Sequence, residues 1–168
     1  MKFVKMHGAG NDYVYLDAVT DASIEARLGA PDWSDLVRRM SDRHKGIGSD
    51  GVIAVCPPTR EGRAAGAHVR MRMFNADGSE SEMCGNGVRC VAKFAHDCLA
   101  VRANPMLVET GRGVLGIAYQ VDRGAVRTAT VDMGEPILEL ERVPVDAGQV
   151  ERGAEHRCAL KDVARPDA

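Results

Sequence analysis

The chain is poor in aromatic residues, with one Trp, three Tyr and three Phe among 168 residues. Aliphatic side chains and the eight methionines must therefore build its core. No apolar run approaches the roughly 20 residues of a membrane-spanning helix. The opening Met-Lys-Phe-Val-Lys-Met-His-Gly is too polar for a secretory signal. Neither sign of charge dominates: 22 basic against 24 acidic residues leave a net charge of −2. Such a balance gives no electrostatic footprint for nucleic acid or an anionic membrane, and neither is expected as a partner. The five cysteines, Cys56, Cys84, Cys90, Cys98 and Cys158, include no C-x-x-C pair and miss the spacings of zinc sites. An odd number without a signal argues against a disulfide framework and for a reducing cytoplasm. A cysteine with a function here works as a lone thiol. What is present is an ordinary globular composition, 45% hydrophobic and 27% charged, long enough for one domain or slightly more.

Periodicity supplies the elements. Residues 1–6 and 13–17 are β-like, joined by the turn His7-Gly8-Ala9-Gly10-Asn11-Asp12. Trp33, Leu36, Val37 and Met40 recur at helical spacing, after a cap at Asp32 or Ser34 and before the stop His44-Lys45-Gly46. Residues 51–56 form a short apolar strand, 59–67 an exposed loop, and 68–74 a strand with Val69, Met71 and Met73 on one face. A polar segment, 75–87, leads into a second helix whose Val88, Val91, Ala92, Ala95 and Leu99 share a face. Strands follow at 107–110, 114–119, 126–133 and 143–145, then a polar tail. Strands outnumber helices without alternating, which predicts an α+β fold.

The chemistry concentrates at Met83-Cys84-Gly85-Asn86-Gly87, directly before that second helix. A thiol there feels the positive end of the helix macrodipole, which favours thiolate. The first-turn amides of Gly85, Asn86 and Gly87 lack intrahelical partners and can hold a carboxylate. The plainer roles are a buried cysteine, an Asn86 N-cap and a simple turn at Asn75-Ala76-Asp77-Gly78. Cys56, Cys90 and Cys98 fall inside regular elements, where core packing is expected. The glycine turn at 7–12 lacks the third glycine of a dinucleotide fingerprint and the Lys-Ser/Thr of a P-loop.

Taken together, four blocks resemble the diaminopimelate epimerase family. They are His7-Gly8-Ala9-Gly10-Asn11-Asp12-Tyr13, Arg43-His44-Lys45-Gly46-Ile47-Gly48-Ser49-Asp50, Phe74-Asn75-Ala76-Asp77-Gly78-Ser79 and Cys84-Gly85-Asn86-Gly87-Val88-Arg89-Cys90. Met133-Gly134-Glu135-Pro136 matches too, and the resemblance spans about residues 1–145. It implies strands wrapped round a central helix, in each of two pseudo-symmetric domains with substrate between them. It also implies epimerisation of LL- to meso-2,6-diaminopimelate, for lysine and cell-wall precursor, without cofactor or metal. Two cysteines face opposite sides of the α-carbon. Cys84 would be one of them, Gly85 and Asn86 would bind the carboxylate, and Asn11 and Asn75 would contact the substrate. Some family members carry glutamine where Gly51 stands.

Residues 1–124 would form the first domain, and 125–168 the start of an incomplete second one. The second thiol belongs in a further Cys-Gly-Ser/Thr-Gly turn, which neither Glu151-Arg152-Gly153-Ala154 nor Cys158 provides. The resemblance thus implies a truncated form, inactive or weak by itself, and a possible homodimer. Two alternatives stand beside it. One is another cofactor-free racemase, such as a proline racemase, which tends to carry His where Asn86 stands. The other is a non-catalytic domain binding a small molecule or a protein.

Overall fold

The computed structural model describes residues 1–137, 139, 142, 150–152 and 158–160. The chain divides into two units, Met1–Met133 and Gly134–Ala168.

The first unit is built on a mixed sheet. β1 (Val4–Gly8) and β2 (Asn11–Asp17) form a hairpin in which Gly8 faces Asn11, leaving a two-residue turn. Ala9 and Gly10 both have positive φ, 51° and 94°, which matches the right-handed twist of the flanking strands. β3 (Gly51–Cys56) runs parallel to β2, and β4 (Val69–Asn75) antiparallel to β3. A two-residue strand, β5 (Glu80–Ser81), pairs with β4. β6 (Met106–Thr110), β7 (Gly113–Asp122) and β8 (Ala125–Val131) complete the order β1-β2-β3-β4-β6-β7-β8.

Four helices accompany the sheet: α1 (Ala22–Arg27), α2 (Trp33–Ser41), α3 (Arg60–Ala64) and α4 (Gly85–Leu99). Strand alternation sorts side chains into two cores. Tyr13, Tyr15, Ile53, Val55, Val69, Met71 and Met73 pack with Val88, Val91, Ala92, Phe94 and Ala95 of α4. Val14, Leu16, Val52, Ala54, Cys56 and Phe74 pack on the other face with Ile24, Trp33 and Val37 of α1 and α2. β3 is covered on both faces, so all six of its residues are buried, which explains an apolar run without alternation. Both sheet margins, β1 and β8, contact α4, so the sheet curls round that helix, as the resemblance implied for an α+β domain.

Several local expectations are corrected. The segment 59–67 is not all loop: the Thr59 hydroxyl caps α3 by accepting the Gly62 amide at 2.9 Å. Helix α2 ends at Ser41, because the Asp42 carboxylate takes the amides of His44 and Lys45 at 2.7 and 2.9 Å. Cys98 is exposed rather than packed; it lies in the last turn of α4, where its neighbours Asp97 and Leu99 are only half-buried. The strand at 125–131 pairs with β7 and lies against α4, so the contact boundary falls after Met133. The strand expected at 143–145 lies outside the described residues.

In the second unit, β9 (Val150–Arg152) pairs antiparallel with β10 (Cys158–Leu160). Among the described residues no helix is long and apolar enough to cross a membrane.

Candidate active site

Cys84 is the N-cap of α4, in extended conformation, and its Sγ accepts the Gly87 amide at 3.4 Å. The sulfur thus occupies the position that a serine or aspartate oxygen usually takes at a helix start. The amides of Gly85 and Asn86 have no acceptor among the described residues. Two N–H groups at the positive end of a 15-residue helix therefore lie next to a thiol.

One face of β2 docks on this turn, because residues two apart point the same way. Asn11 Oδ1 accepts from Asn86 Nδ2 at 2.8 Å, Tyr13 Oη lies 3.5 Å from Cys84 Sγ, and Tyr15 Oη donates to the Gly87 carbonyl at 3.2 Å. The approach is close enough to require glycine at position 8, where a Cβ would sit 2.7 Å from the Asn86 carbonyl oxygen.

The amides of Asn11 and Asn86 belong to a directed relay. Arg89 Nη2 donates to Asn86 Oδ1 at 2.7 Å, Asn86 donates to Asn11, and Asn11 Nδ2 donates to Asp50 Oδ2 at 3.2 Å. A guanidinium can only donate and a carboxylate only accept, so the two ends fix both amide orientations. Each carboxamide oxygen is occupied and each nitrogen keeps one hydrogen. The site therefore presents donors, which is what a carboxylate needs.

Asp50 also accepts the Asp12 amide at 3.0 Å and Arg43 Nη2 at 2.9 Å. Arg43 spans both acids, reaching Asp12 Oδ1 at 2.6 Å, while Lys5 Nζ lies 3.1 Å from Asp12. The Arg43 hydrogen bond, followed by that of Lys5, holds the Asp12 carboxyl at about 2, against burial that opposes the shift. A carboxyl depressed on folding stabilises the protein above its unfolded value of 3.8 and loses that contribution as pH falls towards about 2. Asp12→Asn should accordingly lower the melting temperature near neutral pH. Melting curves of both proteins across the acid range should converge between about pH 4 and pH 2.

Asn75 stands apart from this cluster. It ends β4 opposite Gly51, which itself pairs with Tyr13, so the three residues form a row across adjacent strands. Its Nδ2 donates to Ser79 Oγ at 3.0 Å, within its own turn. No hydrogen bond among the described residues joins it to Cys84 or Asn86. A Cβ on Gly51 would lie 2.1 Å from the Phe74 carbonyl oxygen, so the backbone here is adjusted to glycine.

The other described cysteines have different surroundings. Burial pushes the Cys56 thiol up to about 11 and also raises Cys90. Cys98, as noted, is exposed. Sequence reasoning assigned no site role to Asp50, Arg43, Arg89 or Tyr13. All four lie inside the quoted motifs, but their contacts with Asn11, Asp12, Asn86 and Cys84 emerge only from the fold.

The sequence profile described as diaminopimelate epimerase matches residues 3–139. The chain belongs to the diaminopimelate epimerase family. The diaminopimelate epimerase of Desulfovibrio desulfuricans is 46% identical over 166 residues, covering 99% of this chain and 52% of that protein. That of Methanococcus maripaludis (strain DSM 14266) is 43% identical over 145 residues, covering 86% of this chain and 48% of that protein. The chain thus spans about half the length of these relatives.

Solved structures agree on the fold. A hydroxyproline epimerase from Agrobacterium vitis matches with TM-score 0.56 and 19% identity, covering 77% of this chain and 40% of that one. A probable proline racemase from Agrobacterium radiobacter K84 gives 0.55 and 15%, with the same two coverages of 77% and 40%.

Proposed function

We propose that this chain supplies one of the two acid/base thiols for epimerising LL- to meso-2,6-diaminopimelate without a cofactor. The observation that carries the reading is Cys84 at the start of α4, beside two amides without an acceptor among the described residues and a donor-presenting Asn86–Asn11 pair. Family membership gives the reaction its class. The second thiol would come from the half of the relatives' length that this chain does not span.

In the mechanism, the substrate carboxylate is held by the amides of Gly85 and Asn86, with Asn11 and Asn75 as further polar contacts. The Cys84 thiolate takes the α-proton and becomes a thiol, and the electron pair of the C–H bond stays on the α-carbon and spreads into the carboxylate. Donors fixed before reaction stabilise that charge, and water must be excluded because the α-proton is so weakly acidic. A proton delivered to the opposite face completes inversion. Cys84 acts as the acid in the reverse direction.

The reading carries with it a cytoplasmic setting, a place in lysine and cell-wall precursor synthesis, and homodimeric assembly. It also carries a two-domain organisation.

Deuterium exchange at the α-carbon of LL-diaminopimelate in heavy water, followed by NMR, tests it. Exchange into diaminopimelate and not into L-proline is expected. Preference for proline would move the chain to the proline racemase class. Binding of diaminopimelate by the folded chain without any exchange would leave a binding domain and overturn the catalytic reading.

A further inference from the structure

β2 sends two tyrosines to the start of α4, and their hydrogen bonds differ in kind. Tyr15 Oη donates to a backbone carbonyl, that of Gly87. Tyr13 is buried, at 4% exposure, and Cys84 Sγ is the one hydrogen-bond partner of its hydroxyl among the described residues. A buried hydroxyl that makes no bond is costly, so this hydroxyl is paired with the sulfur.

The direction of the bond depends on the charge of the sulfur. While Cys84 is a neutral thiol either atom can donate. Once the sulfur has lost its proton, only the phenol can. Burial and the Cys84 contact both push the Tyr13 phenol above its ordinary range, so it keeps its proton throughout. The Gly87 N–H converges on the same atom from the helix side. The sulfur thus receives the Gly87 N–H and lies against the Tyr13 hydroxyl, and hydrogen bonds to an ionised acceptor are the stronger kind.

We propose that Tyr13 is a positioning residue, which donates its phenolic hydrogen to Cys84 Sγ and so fixes the sulfur and favours the thiolate that removes the α-proton. The proposal rests on the acid/base reading of Cys84 for its purpose, but its test does not depend on turnover.

The test follows Cys84 ionisation by thiolate ultraviolet absorbance against pH, and Cys84 reactivity by its alkylation rate with iodoacetamide. A Cys84→Ser protein supplies the contribution of the other cysteines. Tyr13→Phe should shift the Cys84 titration upward and slow alkylation at neutral pH by about tenfold, as loss of one hydrogen bond to a charged group requires. Tyr15→Phe, which also removes a buried hydroxyl from this face but one that bears on Cys90, should leave the Cys84 contribution at its wild-type value when read against a Tyr15→Phe, Cys84→Ser protein. A fluorinated tyrosine at position 13, with the ring kept and the hydroxyl more acidic, should shift the titration downward. An unmoved titration in Tyr13→Phe, or equal shifts in Tyr13→Phe and Tyr15→Phe, would overturn the proposal, since the latter marks loosened packing. A titration that moves with Tyr13 while diaminopimelate exchanges no proton would uphold the pairing and remove the catalytic reading alone.

Discussion

Cys84→Ser should melt at or slightly above the wild-type temperature and yet lose α-proton exchange by about 10²–10⁴-fold, the usual worth of a positioned acid/base group. The two effects separate because Cys84 has two roles. As N-cap it satisfies the Gly87 amide through its sulfur, and a serine hydroxyl does this at least as well. As base it needs a group that ionises within reach of neutral pH, which a hydroxyl does not. Cys84→Ala should lose both, with a similar fall in exchange and about 1 kcal/mol of stability from the missing cap. Calorimetry on the three proteins, read beside the heavy-water experiment, checks the pattern. Exchange that survives in Cys84→Ser would place the base elsewhere.

Gly51→Ala should carry one of the largest stability costs of any conservative change in the first unit, beside Gly46→Ala, whose added carbon would lie 2.0 Å from the Arg39 carbonyl oxygen. At Gly51 the added carbon would lie 2.1 Å from the Phe74 carbonyl oxygen and 3.2 Å from the Asn75 Cα, both backbone atoms of the neighbouring strand. No rotamer relieves such a contact. Either β3 and β4 separate at this rung or the φ of +157° changes. The row Tyr13–Gly51–Asn75 crosses three strands here, so displacement spreads to the site on both sides. A loss of about 2–4 kcal/mol is expected, a large share of a typical domain stability. Denaturant unfolding measures it. Gly29→Ala is the control: nothing lies within 4 Å of its Cβ position, and its effect should stay within about 0.5 kcal/mol.

The parts of the molecule that were legible in the sequence are those whose signal is local. Val88, Val91, Ala92 and Ala95 announce α4 by spacing, and Cys84-Gly85-Asn86-Gly87 announces its start. The buried run of β3 is equally plain. Helix α1 was missed because it is six residues long and buries one side chain, Ile24, too little for a periodic stripe. Helix α3 was missed because Arg, Gly and Ala dominate it, and its cap, Thr59, is recognisable only once Thr59 is seen to bond Glu109, fifty positions away.

The site shows the same division. Cys84, Gly85 and Asn86 form a sequence-local unit, so reading one finds the others. Asn11 came through the resemblance, and its contact with Asn86 spans 75 positions. Asp50, Arg43 and Arg89 act by orienting neighbours, and nothing in a linear motif distinguishes that from a solvated charge. Tyr13 looked like one more strand aromatic until its hydroxyl was located against the sulfur.

The three contacts that β2 makes with α4 have a consequence for assembly. Asn11, Tyr13 and Tyr15 reach the helix only because they share one face of the strand, and a slip of one residue would turn all three outward together. A molecule folded in the wrong register would not hold a weakened site; it would hold none. The two-residue turn at Ala9-Gly10 therefore acts as a proofreader as well as a connector. Ligand competence and correct strand pairing arrive as a single event, and a thiol-reactivity assay on this protein is at the same time an assay of its folding.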